Sequence, residues 1–531
     1  MTDLASLLNS HSRTRPDAPF CTFVAKGAAQ TITFAQLYER SAAYAAAYRR
    51  EGVVPGDLVI VILEHSPHLF YSYLGAILAG AVPSFMPFPS PKQRADLYWA
   101  DHAALFARIA PRLLVTYAAN LASARAELPG FAIPTLVADD AILAGGDGVA
   151  PHAAGADDVA CLQHSSGTTG LKKGVMLTHR EILAEVAAYA SAIDFTQDDV
   201  VASWLPLYHD MGFVAVFMTS VVLGTHFVAL DPFEWTMRPT MLLDAIRDHR
   251  ATFTWLPNFG FSHIVNGARR DATWDLSSMR AFISCSEPAK AHTFARFAAR
   301  FADCGVTPEK LHVCYAMAEN VFAVTQTKLG TRVAVAAREG FADGVVSCGP
   351  PVDGVEIRIE ADGEVCIRSP YLFDGYYKLP EKTREKLRDG WYHSGDLGFI
   401  RDGELYVTGR MDDMLIVAGR NYFAHEIEAV VNDLPGIFPG RNVAIGVEDP
   451  RTDATVVVLL AECRPEADFA AVGLAIKRQV LERLGLALAA VVPLNQGDLI
   501  KTTSGKISRT KNKELYLDGT LIRTGAPRNG H

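Results

Sequence analysis

A chain of 531 residues exceeds what one ordinary hydrophobic core supports, so two or more domains are expected. Charged residues at 21% and hydrophobic ones at 49% belong to a globular protein rather than a disordered one, and a net charge of −9 gives no basis for whole-protein attraction to nucleic acid. Eight cysteines without a Cys-x-x-Cys pair speak against a disulfide framework or a zinc site and fit a reducing, cytoplasmic setting.

Met1-Thr2-Asp3-Leu4 places no basic stretch ahead of an apolar one, so no signal peptide is expected. Ile32-Thr33-Phe34 leads into a helical stretch from Ala35 to Glu51, and Pro55-Gly56-Asp57 marks a turn. Leu58 to Leu63 is a continuous β-branched run, typical of a strand covered on both faces. His68 to Ala79 is predicted helical, Ala81 to Met86 returns to strand, and Leu113 to Thr116 starts another such unit. This alternation predicts an α/β architecture with largely parallel sheets. Residues 140–158, rich in Gly, Ala and Asp, read as a surface linker. Leu69–Pro91 and Met211–Leu230 are nearly uncharged, but prolines break the first and Gly224-Thr225-His226 divides the second. Each reads as a buried helix running into a buried strand, not a membrane span. From Val345 apolar and charged residues alternate, as half-exposed antiparallel strands do, with turns at Asp362-Gly363 and Asp402-Gly403.

The stretch His164-Ser165-Ser166-Gly167-Thr168-Thr169-Gly170-Leu171-Lys172-Lys173-Gly174 suits a loop that wraps a polyphosphate. Glycines let backbone N–H groups approach phosphate oxygens, hydroxyls add hydrogen bonds and lysine supplies point charge. It is not a Walker loop, and alone it reads equally well as a plain flexible loop. Seven further segments follow in order. They are Trp204 to Gly212, Ser284-Cys285-Ser286-Glu287-Pro288, Tyr315-Ala316-Met317-Ala318-Glu319, Gly363-Glu364 with Gly375-Tyr376, Trp391 to Asp396, Gly409-Arg410-Met411-Asp412-Asp413, and Lys501-Thr502-Thr503-Ser504-Gly505-Lys506.

Together these resemble the adenylate-forming superfamily of acyl-CoA synthetases, peptide-synthetase adenylation domains and luciferases, over essentially the whole chain. The resemblance implies an N-terminal domain at residues 1–411, built of two layered, mostly parallel sheets and a small distorted β-barrel. A small mobile α+β domain at 412–531 would carry the catalytic lysine. It implies ATP-dependent formation of an acyl-adenylate with release of pyrophosphate, then transfer of the acyl group to a thiol. By similarity Ser165, Ser166, Gly167, Thr168, Thr169, Gly170 and Lys173 would hold the β- and γ-phosphates, and Glu319 would bind magnesium. Ser286, Glu287, Tyr315 and Ala316 would lie against adenine, Asp396 would accept the ribose hydroxyls, and Arg410 would orient ribose or phosphate. Lys506 would bridge the acid and the α-phosphate, Asp412 would be the hinge, and His209 would stand near the acyl carboxylate. Each has a plainer reading. Glu319 fits a helix-start carboxylate, Asp396 a Ser-Gly-Asp turn, Arg410 a surface ion pair and His209 a core histidine. The five cations between Lys501 and Lys513 suit either the phosphates of a thiol carrier or a solvated loop.

Trp204 to Gly212, Ala318 before Glu319, Ser347-Cys348-Gly349-Pro350-Pro351 and Gly419-Arg420-Asn421 resemble the fatty acyl-AMP ligases, which load acyl carrier proteins. Two features depart from that pattern. Only Asn320 to Ser347 separates Glu319 from the Cys-Gly motif, so most of that branch's inserted segment is missing. Lys172 and Ile500 stand where the superfamily usually has proline. The resemblance therefore implies a fatty acyl-AMP ligase serving a carrier protein. The alternatives are an acyl-CoA synthetase using free CoA and a non-catalytic nucleotide-binding member of the fold.

Overall fold

The computed structural model describes residues 3–89, 95–128, 130–144, 150–164, 172–338, 341–417, 420–432, 434–449, 454–501 and 507–521. Among them two mostly parallel sheets dominate, as the alternation predicts. The larger has eight strands, running Ala323–Gln326, Leu311–Ala316, Ala281–Ser284, Phe253–Leu256, Val200–Ser203, His226–Leu230, Pro19–Ala25 and Ala28–Thr33 in spatial order. Its inner strands are parallel, and an antiparallel strand closes each edge. The smaller sheet, Val82–Phe85, Leu58–Ile62, Leu113–Thr116 and Thr135–Val137, is parallel throughout.

Local sequence explains the elements. Every residue of Leu58–Ile62 is buried, which a strand needs when both faces are covered. Helices Phe34–Arg50 and His179–Ala192 each start at a threonine that caps its N3 amide while Gln36 or Glu181 reaches back, a reciprocal pairing of otherwise orphaned donors. Gly80 ends His68–Ala79 in the left-handed conformation that glycine adopts at least cost. Met211–Leu230 is helix into strand, but its first turns, Met211–Met218, are wound as a π-helix before Thr219–Leu223 and the strand His226–Leu230. Residues 140–158 are not featureless, because Asp139 caps a one-turn helix at Asp140–Leu143 and Ile142 is buried.

The antiparallel strands expected to form a distorted barrel are spread over small sheets. The largest holds Glu356–Ile359, Glu364–Arg368, Trp391–Arg401 and Glu404–Arg410. From Leu415 onward the chain packs in apolar clusters of its own. These lie around the sheet Ile437–Asp449, Ala454–Cys463 and Ala490–Leu494 and its helices. All eight cysteines are free thiols. Among the described residues, no helix is long and apolar enough to cross a membrane.

Candidate active site

Parallel strands bring their carboxyl ends to one edge, and the segments that follow them there form a crevice open to ligands. Here that edge collects the residues after Ser203, Leu256, Ser284 and Ala316, which hold His209, Asn258, Ser286 with Glu287, and Glu319.

At the end of the strand Leu311–Ala316, the Tyr315 hydroxyl donates to Asp396 Oδ2 at 2.5 Å. Asp396 pairs in register with Arg410 across the antiparallel strands Trp391–Arg401 and Glu404–Arg410, and Arg410 Nε lies 2.9 Å from Asp396 Oδ1. Burial raises the Asp396 pKa and Arg410 opposes it, while the neighbouring carboxylate in turn raises that of Arg410. Each carboxylate oxygen keeps further lone pairs for a diol. Ala316 ends the same strand, half-buried.

Glu319 lies in the short 3₁₀ turn Ala318–Asn320 and is 9% exposed. The Tyr376 hydroxyl donates to its Oε1 at 2.6 Å and sits 3.3 Å from that of Tyr392. Directly after it the chain strains. Val321 has φ 60° and ψ −60°, and the Phe322 N–H donates to the Asn320 carbonyl at 2.6 Å, closing a γ-turn around a β-branched residue. The surroundings enforce it, since Glu185 Oε1 accepts the Ala323 N–H at 2.8 Å and Asn320 Nδ2 donates to the Ala323 carbonyl at 2.7 Å.

Cations converge here. Lys173 places its Nζ over the Tyr376 ring at 5.1 Å. Burial lowers its pKa, Glu319 acts against that, and Lys382, Lys386 and Arg410 lower it further. A Cβ on Gly395 would lie 3.4 Å from Lys386 Nζ, so that lysine reaches the backbone beside Asp396. A buried carboxylate beside Lys173 and Arg410, with Lys382 and Lys386 close to Lys173, is a field suited to a polyanion together with a hard divalent ion.

His209 follows the strand Val200–Ser203, three strands from Leu311–Ala316, or roughly 14 Å at about 4.8 Å per strand. Its carbonyl accepts the Phe213 N–H at 2.7 Å, and its ring centroid lies 5.0 Å from that of Tyr208. Gly212 has no alternative, because a Cβ there would fall 2.4 Å from the Pro206 carbonyl oxygen. Beside this segment opens a narrow apolar cavity of about 40 Å³. Its lining includes half-buried Pro206, Leu207 and Tyr208 and buried Phe70, Phe85 and Phe227.

Ser286 turns the chain after Ser284 with φ 68°, and Glu287 Oε2 accepts the Phe259 N–H at 3.1 Å, holding the start of the helix Asn258–Gly267. Asp412 lies in the 3₁₀ turn Met411–Asp413, whose Asp413 is bound by Arg509 at 2.9 Å. Ser165, Ser166, Gly167, Thr168, Thr169, Gly170 and Lys506 lie outside the described residues. Their flanks are paired, His164 with Gly174 and Lys501 with Ile507. The structure thus joins Tyr315, Glu319, Asp396, Arg410 and Lys173 in one cluster. Sequence reasoning assigned no role to Tyr376, Tyr392, Lys382 or Lys386. The Gly375-Tyr376 pair and the Trp391 to Asp396 segment that holds Tyr392 were visible signals; Lys382 and Lys386 carry none.

Residues 8–377 match the family model for AMP-binding enzymes. A medium-chain-fatty-acid–[acyl-carrier-protein] ligase, JamA of Moorena producens, is 30% identical over 69% of each chain. A putative fatty-acid–CoA ligase of Mycobacterium tuberculosis, FadD25, is 28% identical over 99% of each. A solved fatty acyl-adenylate ligase, from a study of the Escherichia coli and Legionella pneumophila enzymes, superposes with TM-score 0.89 at 26% identity, covering 98% of this chain and 99% of that one. The chain belongs to the AMP-binding family of adenylate-forming ligases, on the branch of the fatty acyl-AMP and fatty acyl-CoA ligases.

Proposed function

We propose that this chain joins a fatty acid to ATP, forming acyl-AMP and pyrophosphate, and then passes the acyl group to the phosphopantetheine thiol of an acyl carrier protein. The observation that carries this reading is the apolar cavity opening beside His209 on the same strand edge as the Tyr315–Asp396–Arg410 and Glu319–Lys173 groups. One end takes a hydrocarbon and the other a nucleotide, so carboxylate and α-phosphate meet between them.

A carboxylate oxygen attacks the α-phosphorus, and the bond from that phosphorus to the bridging oxygen breaks as pyrophosphate leaves. The acid enters ionised and needs no general base, so the protein's work is positioning and charge neutralisation. Asp396, whose charged form Arg410 favours against burial, accepts from the ribose hydroxyls, and Tyr315 fixes the orientation of its carboxylate. Lys173, Lys386 and Arg410 face the phosphates, and Lys506, brought by residues 412–531 turning about Asp412, neutralises the α-phosphate. Glu319, buried and acceptor-only when ionised, would be a fitting ligand for magnesium, which when bound would neutralise phosphate charge. The thiol then attacks the acyl carbon and AMP departs.

The short segment from Asn320 to Ser347 favours a second reading in which CoA is the acceptor. Incubating acid and ATP with either CoA or a phosphopantetheinylated carrier protein, and weighing the thioester by mass spectrometry, decides between them. Carrier-bound acyl product is expected, and acyl-CoA alone would transfer the assignment to the CoA ligases. Lys506→Ala should abolish pyrophosphate release while leaving ATP binding in place.

A further inference from the structure

The antiparallel sheet that carries Asp396 holds a cysteine its apolar core does not use. Val365 and Ile367 turn into that core, and alternation along the strand Glu364–Arg368 sends Cys366 to the other face. There it meets polar side chains. Cys366 stands opposite His393 on one neighbouring strand and opposite Arg358 on the other, and its Sγ lies 3.3 Å from His393 Nδ1. Glu360 follows the strand Glu356–Ile359, so its carboxylate reaches the same place. One thiol, one imidazole and one carboxylate oxygen here all lie within 4.8 Å of one another, and among the described residues no other three such side chains do so.

The surroundings suit a metal ion. Glu364 Oε2 lies 2.8 Å from His393 Nδ1, and Glu364 Oε1 accepts the Gly395 N–H at 2.9 Å. A carboxylate anchored in this way orients the imidazole, as the partners of metal-bound histidines do. Arg358 holds Glu360 Oε1 at 2.5 Å, and the second oxygen of that carboxylate remains a lone-pair donor. Bonds of about 2.0–2.3 Å in a tetrahedron set ligand atoms roughly 3.5 Å apart, close to the sulfur–nitrogen separation already present. A thiolate beside an imidazole selects zinc over magnesium or calcium, which take oxygen ligands. A thiolate and two carboxylates around one dication leave a single negative charge, which Arg358 offsets.

We propose that Cys366, His393 and Glu360 form a binding site for one zinc ion, with Glu364 positioning the imidazole. On binding, the Cys366 thiol releases its proton to solvent and its sulfur donates an electron pair to the metal. The site lies on the strand Trp391–Arg401, three residues before Asp396, and ties it to the two strands beside it. Ligands drawn from adjoining strands leave no fixed spacing in the sequence, which is why cysteine spacing alone speaks against a zinc site. A thiol and a histidine merely hydrogen-bonded on a sheet face would retain no metal. The inference stands apart from the adenylation reading, because its test reads metal and not turnover.

The test strips the full, tag-free chain with a chelator and titrates it with cobalt(II), a coloured stand-in for zinc. Wild type should bind one equivalent with a thiolate-to-cobalt charge-transfer band, which zinc bleaches and magnesium leaves unchanged. Cobalt held by Glu319 and its neighbours would give no such band, since no sulfur is among them. Cys366→Ser should lose the band. His393→Ala and Glu364→Gln should weaken binding at least about tenfold, with melting temperature followed as a folding control. The proposal is overturned if wild type shows no charge-transfer band, or if the band persists in Cys366→Ser and so belongs to another cysteine. The wild-type spectrum decides even where a variant does not fold.

Discussion

Asp396 shows how a buried acid is kept useful. Burial alone would protonate it, and the guanidinium of Arg410, 2.9 Å from its Oδ1, pulls the other way. In Arg410→Ala burial stands unopposed, so the Asp396 pKa rises further and its acceptor form is lost at a higher pH. The acid limb of kcat/KM for ATP should move to higher pH, on top of a drop at all pH values. Profiles of the same shape in both proteins would contradict the pairing. Tyr315, Glu319, Asp396 and Arg410 were legible because each sits in a short ordered motif. The hydrogen bond from Tyr376 to Glu319 joins residues 57 apart, and Lys386 meets Gly395 only through tertiary packing, so neither leaves a mark in local spacing.

At the scale of elements, two segments hold the chemistry in place. The π-wound turn Met211–Met218 rests on Gly212, whose missing Cβ lets the helix lie against the Pro206 and Leu205 carbonyls. Gly212→Ala must move backbone at the cavity mouth. A cost of about 1–3 kcal/mol should lower the melting temperature by a few degrees and reduce pyrophosphate release at least about tenfold. Full activity would show that the mouth does not depend on this contact.

The second segment is the γ-turn at Val321, anchored by Glu185, whose carboxyl burial pushes up to about 8. A folded-state pKa above the ordinary glutamate value of 4.5 means the unfolded chain releases this proton first. Stability therefore falls as pH climbs from about 4.5 to about 8 and is flat beyond. Glu185→Gln keeps an acceptor for the Ala323 N–H without titrating. It should stabilise the fold by a few kcal/mol (on the order of 3) at pH 8 and leave it nearly unchanged at pH 4 in melting curves. Destabilisation at both pH values would mean that Glu185 is ionised and paired. Apolar periodicity revealed where these helices and strands lie, with Leu113–Thr116 and His68–Ala79 found at the expected residues. It carried no sign of π-winding, because a shift to i→i+5 bonding leaves an all-apolar segment looking the same. The strain at Val321 was equally hidden, since valine is the wrong residue for that conformation by local preference and is held there by distant partners.

At the scale of the molecule, several contacts among the described residues join the segment beyond Leu415 to the rest, the Arg509–Asp413 pair among them. Lys290 bonds Glu426 at 2.7 Å, Lys511 bonds Asp101 at 2.9 Å, and the rings of Phe341 and Phe423 lie 5.9 Å apart. Burial would raise the Glu426 pKa, but His425 and Lys290 hold it at about 2, so this pair is ionic over the working pH range. Glu426→Gln leaves Lys290 partly buried without its anion. Single-turnover rates of adenylation and thioester formation should then change by different factors, one of them by up to roughly tenfold. Equal changes in both would argue that the C-terminal residues do not reorient between steps. The order of motifs along the chain made the family legible. The spatial order of strands, in which Pro19–Ala25 inserts beside His226–Leu230, depends on long-range packing that no local pattern encodes.

The central claim is tested most directly by isotope transfer. A fatty acid labelled with oxygen-18 in its carboxylate, turned over with ATP and an acceptor thiol, should deliver one labelled oxygen into AMP and none into pyrophosphate, because the carboxylate itself attacks the α-phosphorus. Unlabelled AMP, or ADP and phosphate in place of AMP and pyrophosphate, would contradict the account.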